Sequence, residues 1–287
     1  MKFIRIIVDV LKATFTEWQQ DKAPRLAAAL AYYTLFSLAP LIIILLGITG
    51  YILGRETVSD YLVQQVQNSI GAEGAAIVES IIENASRPSA TIIATIIGIG
   101  TLLLGALGVF VQLQDALNTV WKVTPKPGQG IKGFLETQFM SFLTMLGIGF
   151  LLLASLILSS VMSTLGDFLT IWLSDSSVIV LHVLNFVVSY GLVTVLFAMV
   201  YKYLPDIEIA WSDVWIGAIV TTLLFSVGKY LLGFYMGRQT FGSVYGAAGS
   251  ILILLLWIYY SAQILLFGVE FTQVYARMFG SRSDKNQ

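Results

Sequence analysis

The sequence predicts an all-α polytopic membrane protein with six transmembrane helices and both termini in the cytoplasm. Three observations predict it. Of the 287 residues, 57% are apolar in type and only 11% are charged, well under the roughly 25% charged residues of an ordinary soluble domain. Six stretches, Leu26–Leu53, Thr91–Leu113, Gln138–Leu165, Ser177–Tyr201, Trp211–Gly233 and Ala247–Glu270, reach the length a helix needs to cross a hydrocarbon core. Lys and Arg are concentrated on one side of the connections between those stretches. A soluble globular protein is excluded, because so few charges cannot cover its surface, and a disordered chain would have far less to bury. The stretches are continuous apolar runs without the alternation of a membrane barrel, so the spans are helical.

Taken in order, residues 1–22 come first. Phe3, Ile6, Ile7, Val10, Leu11 and Phe15 interleave with Lys2, Arg5, Asp9, Lys12 and Thr16. That pattern predicts an amphipathic helix lying in the cytoplasmic interface, its basic residues near anionic headgroups. No cleaved signal is expected, since residues 1–20 lack a small-residue cleavage pattern and end in Trp18-Gln19-Gln20. Pro24 suits the first turn of the next helix. A transmembrane domain then occupies residues 23–272 and a cytoplasmic tail 273–287. Within that domain, residues 54–90 form the largest loop, carrying Glu56, Asp60, Glu73, Glu79 and Glu83. Apolar residues recur at Val58, Tyr61, Leu62 and Val66, then at Ile77, Val78, Ile81 and Ile82. Two short amphipathic helices separated near Gly71–Gly74 are expected, either capping the outer face or lying on the outer leaflet.

Orientation rests on twelve residues: Lys2, Arg5, Lys12, Lys22 and Arg25; Lys122, Lys126 and Lys132; Lys202; Arg277, Arg282 and Lys285. The opposite side has Arg55, Arg87 and Arg238, and Lys229 falls within the fifth span. The richer side is read as cytoplasmic.

The polar residues inside the spans are the candidate functional groups. Lys229 lies seven residues past the midpoint of span 5 and His182 seven before that of span 4, each about 10 Å toward the outside at 1.5 Å per residue. With Asn185 and Arg238 they form a candidate polar pocket for an anionic headgroup; the plainer alternative is a snorkelling lysine and a packed histidine. Tyr33, Ser37 and Pro40 share a face of span 1, where Pro40 either kinks a packing helix or breaks one that lines a cavity. Asp115, Asn118 and Glu270 are candidates for a cytoplasmic gate or ion coupling, or are solvated helix ends. Gly242, Gly246 and Gly249, on the Gly-rich approach to span 6, are candidate hinge positions. The remaining span glycines are read as close-packing points.

Several functions are excluded. The net charge is -1, so no bulk field holds nucleic acid. There is no cysteine and one histidine, leaving little for a metal site, and neither metal nor cofactor is expected. No G-x-x-x-x-G-K-[ST] loop is present, so transport would not run on the chain's own ATP hydrolysis.

The stretch Asp21-Lys22-Ala23-Pro24-Arg25-Leu26, continuing through Tyr32-Tyr33 to Ser37-Leu38-Ala39-Pro40, resembles the first-span signature of the YihY/BrkB family of bacterial inner-membrane proteins. Ala116-Leu117-Asn118-Thr119-Val120-Trp121 is similar to its second-span exit. Phe241-Gly242-Ser243-Val244-Tyr245-Gly246, then Trp257-Ile258-Tyr259-Tyr260 and Gly268-Val269-Glu270, are similar to its last-span signature, with Val269 where Ala is expected. The resemblance implies six spans with both ends inside. Members have been called virulence or serum-resistance factors, and some carry an old label as the tRNA-processing ribonuclease BN. The residues argue against a nuclease, since one histidine and short cytoplasmic loops supply neither a metal cluster nor an RNA platform. Outward-lying Lys229 and His182, the kinked first span and the Gly-rich entry to span 6 make non-enzymatic transport or handling of a lipid-like or amphipathic molecule the expected function. A structural scaffold of the cell envelope is the alternative. Membrane lipids are the expected partners; no nucleic acid is, and a homo-oligomer is left open.

Overall fold

The computed structural model describes residues 2–86, 108–123, 175–236 and 248–283. Among the described residues the chain forms eight α-helices and no β-strand. They are α1 (Lys2–Gln20), α2 (Ala23–Leu53), α3 (Arg55–Ile70), α4 (Ala72–Ser86), α5 (108–120), α6 (Asp175–Tyr203), α7 (Trp211–Met236) and α8 (Ala248–Met278). Most of the second expected span and all of the third lie outside the described residues, as do Arg238, Gly242 and Gly246.

α1 forms because its apolar residues recur at helical spacing. It buries Val10 and Thr14, whose hydroxyl donates to the Val10 carbonyl at 2.8 Å. Ile6, Ile7, Leu11 and Phe15 stay 42–49% exposed, an apolar stripe that no described residue covers. Two residues, Asp21 and Lys22, turn the chain into α2, and Lys22 adopts the left-handed conformation at φ 54°. Pro24 occupies the first turn of α2 as expected. The helix then runs unbroken through Pro40 to Leu53, so the broken-helix reading of span 1 fails. At 31 residues it is about 46 Å long, and propagation over that length outlasts one missing backbone donor.

The loop from residue 54 is two helices, as the spacing predicted, divided at Gly71. Val58 of α3 and Val78 and Ile82 of α4 bury themselves against Ile42 and Leu46 of α2. Gly54 (φ 87°) and Gly71 (φ 95°) start α3 and α4 in conformations that side chains rarely adopt. Gly71→Ala is accordingly expected to cost about 1–3 kcal/mol, read as a lower unfolding midpoint of the purified protein in detergent. No atom stands within 4 Å of the added methyl, so backbone strain alone would carry the loss.

α7 and α8 are each long and apolar enough to cross a membrane, over Trp211–Leu232 and Gly249–Met278. α8 does not stop at Glu270, where the sequence ended the last span, but continues to Met278. The described helices divide into two compact units. One comprises residues 1–15, 117–223 and 268–287; the other comprises residues 16–116 and 224–267.

Candidate functional site

The second unit carries a groove of about 330 Å³, open along one side. Leu224, Val227, Gly228 and Leu231 of α7 form one wall; Tyr260, Gln263, Ile264 and Phe267 of α8 form the other; Trp18 of α1 completes it. Each wall repeats at i, i+3, i+4 and i+7, the spacing of one helical face. Gly228 brings the walls together. A Cβ there would stand 2.6 Å from Tyr260 Cε1 and 2.7 Å from Ile264 Cδ1, so a larger residue would have to displace these two side-chain ends. Val227 and Leu231 remain 50% and 60% exposed at the rim. Behind Trp18, Ala23, Leu26, Ala27 and Leu30 of α2 bury against Ala116, Ala262 and Leu266, fixing the indole's position. Gln263 supplies the groove's amide, and its Oε1 is buried.

In the first unit, α7 and α8 meet along a seam of glycines and hydroxyls. Gly217 faces Thr272, and Gly268 faces Thr221 and Tyr201. The Tyr201 and Thr221 hydroxyls are 2.9 Å apart, Thr221 donates to the Gly217 carbonyl at 2.8 Å, and Thr272 donates to the Gly268 carbonyl at 2.7 Å. Thr194 donates to Thr222 at 3.1 Å, joining α6 to α7. At the end of this unit the Asp213 carboxylate, 1% exposed, accepts from the Ser281 amide at 3.1 Å and from its hydroxyl at 2.6 Å. Arg282 donates to the Glu208 carbonyl at 2.8 Å, and its guanidinium lies 5.2 Å over the Trp121 ring. Nearby on the chain, Lys202 donates to the Ile209 carbonyl.

The expected site residues do not converge on one place. Lys229 is half-buried. It stands two turns beyond Thr222 on the same face of α7, turned away from the face formed by Leu224, Val227, Gly228 and Leu231. It therefore does not line the groove. His182 and Asn185 lie on α6, but their side chains are outside the described residues. Tyr33 is 43% exposed, its ring 3.2 Å from a Cβ built at Gly108, while Ser37 is fully buried and donates to the Thr34 carbonyl at 3.1 Å. Asn118 joins the 204–210 loop, donating to Asp206 Oδ2 at 2.7 Å and accepting from the Asp206 amide at 2.8 Å. Asp115 stays exposed. Glu270 is fully buried inside α8 and is no solvated helix end. Gly249 is buried in the first turn of α8. Sequence reasoning passed over Gln263, although it is the one amide between Ala248 and Thr272.

Two described helices are long and apolar enough to cross a membrane, and α1 carries an uncovered apolar stripe, the features of a helical membrane protein, a class that similarity to known membrane proteins also supports. A family model described as "Virulence factor BrkB" matches residues 14–287. The chain belongs to that family. It is similar to membrane proteins named UPF0761. One from Tolumonas auensis is 27% identical over 257 residues, covering 88% of this chain and 80% of the relative. Another, from Azotobacter vinelandii, is 27% identical over 270 residues, covering 92% and 62%. A third, from Aeromonas salmonicida, is 28% identical over 264 residues, covering 90% and 86%. The chain spans about three-fifths of the length of several relatives it matches. No solved structure is a significant match.

Proposed function

We propose that this membrane protein resides in the bacterial inner membrane with six spans and both termini cytoplasmic. There it transports or handles a lipid-like or amphipathic molecule, without enzymatic chemistry, and has membrane lipids as its partners. The groove between α7 and α8 carries this reading. In a membrane protein a lateral slot with exposed apolar rims faces hydrocarbon, and an unfilled volume of about 330 Å³ there forfeits contacts that an acyl chain supplies. Native mass spectrometry of the protein purified in mild detergent tests it. Leu224→Trp, which fills the groove from its α7 wall, is expected to cut co-purified lipid at least about fivefold, while Lys229→Ala, on another face, leaves it unchanged. Equal lipid content in wild type and Leu224→Trp would refute the reading.

A scaffold of the cell envelope is the second reading. The glycine and hydroxyl seam in the first unit favours it, since Gly217 and Gly268 leave no space between the helices they join. A ribonuclease stands last, on the single histidine and the short cytoplasmic loops.

A further inference from the structure

The groove contains a buried carbonyl oxygen that a plain hydrocarbon chain leaves unserved. Gln263 lies on the α8 wall, between Tyr260 and Phe267. Its Oε1 is buried and receives no hydrogen bond from any described residue. Aliphatic and aromatic residues and Gly228 make up the rest of the lining, whose other polar groups are the Tyr260 hydroxyl and the Trp18 indole N–H. A carbonyl oxygen in such surroundings is penalised for lost water unless a donor replaces it. An occupant bearing an O–H or N–H removes that penalty, and a saturated chain does not. Position constrains the occupant further. The wall from Tyr260 to Phe267 is about 10 Å long, and Gln263 falls near its middle. The donor therefore belongs on or beside the chain itself, not on a headgroup beyond the groove. The rim supplies the source of the ligand. Val227, Leu231 and Tyr230 are 50–77% exposed, and in a membrane protein such a surface meets the acyl region of the bilayer.

Resting on the lipid-handling reading, we propose that this groove selects membrane lipids carrying a hydroxyl or amide N–H on the chain, which Gln263 Oε1 receives, over lipids lacking that donor. The full chain, purified in mild detergent, is offered equimolar tetradecanoic acid and 3-hydroxytetradecanoic acid, and the bound ratio is read by native mass spectrometry. The hydroxylated probe is expected to be enriched about five- to tenfold. In Gln263→Leu the ratio falls to about one while tetradecanoic acid still binds, and Gln263→Met, of similar volume, does the same. An equal ratio in the wild type, or a preference that survives both substitutions, would overturn the selectivity and leave lipid handling standing. Failure of the wild type to take either probe would overturn both. Uptake that persists unchanged in Leu224→Trp would remove the groove as the site of either.

Discussion

Gly268→Ala is expected to destabilise the protein by about 2–3 kcal/mol, although alanine is the better helix former by about 1 kcal/mol. The sign is decided by the neighbours. A methyl at Gly268 would stand 2.9 Å from Thr221 Cβ and 2.5 Å from Tyr201 Oη, and closer still to Thr221 Oγ1. Both neighbours are fully buried. Thr221 cannot swing away cheaply, because it is β-branched and its hydroxyl is bonded to the Gly217 carbonyl. Overpacking of this kind costs about 1–3 kcal/mol, here toward the upper end. The Tyr201–Thr221 hydrogen bond adds about 0.6 kcal/mol, a typical value within membranes. The midpoint of unfolding in detergent should fall, and Thr221→Ala should recover most of the loss when combined with Gly268→Ala. Additive losses in the double variant would show that Thr221 is not the atom in the way.

Asp213→Ala is expected to release the end of the chain. Asp213 lies in the first turn of α7, where negative charge is favoured by the helix dipole. The same carboxylate receives the amide and hydroxyl of Ser281 and the hydroxyl of Ser212. Hydrogen bonds to a charged group contribute about 1.5–3 kcal/mol each, so their joint loss should cost at least about 2 kcal/mol. Limited trypsin digestion should then cleave after Arg282 more than about tenfold faster than in the wild type, as a population shift of that free energy requires. Asp213→Asn keeps an acceptor and should fall between the two. Unchanged digestion in Asp213→Ala would mean that Arg282, through Glu208 and Trp121, holds this segment unaided.

Local chemistry was legible in the sequence, and facing was not. The break at Gly71 between α3 and α4 could be read from two amphipathic patterns meeting at a glycine. The helical run of α1 followed from its spacing alone. Glu270 was misplaced because a carboxylate in an apolar run reads as the end of a span; its burial depends on neighbours that a hydropathy pattern does not contain. Tyr33 and Ser37 share a helical face by spacing, yet one is exposed and the other buried, since a neighbouring helix covers only part of a face. Lys229 drew attention by its charge, while the groove beside it is built from ordinary apolar residues, a glycine and one amide. Gln263 could have been found by asking which amide stands alone in a span. Gly217, Gly228 and Gly268 differ from other span glycines only in what faces them.

The elbow between α1 and α2 is short. Asp21 and Lys22 can reach only about 7 Å when fully extended, and Trp18 is anchored one turn before them beside Ala23 and Leu26. The first helix therefore has no slack. The last turn of α1 cannot shift without moving the indole against Ala23 and Leu26, so the seat of that turn and the wall that Trp18 completes are set together.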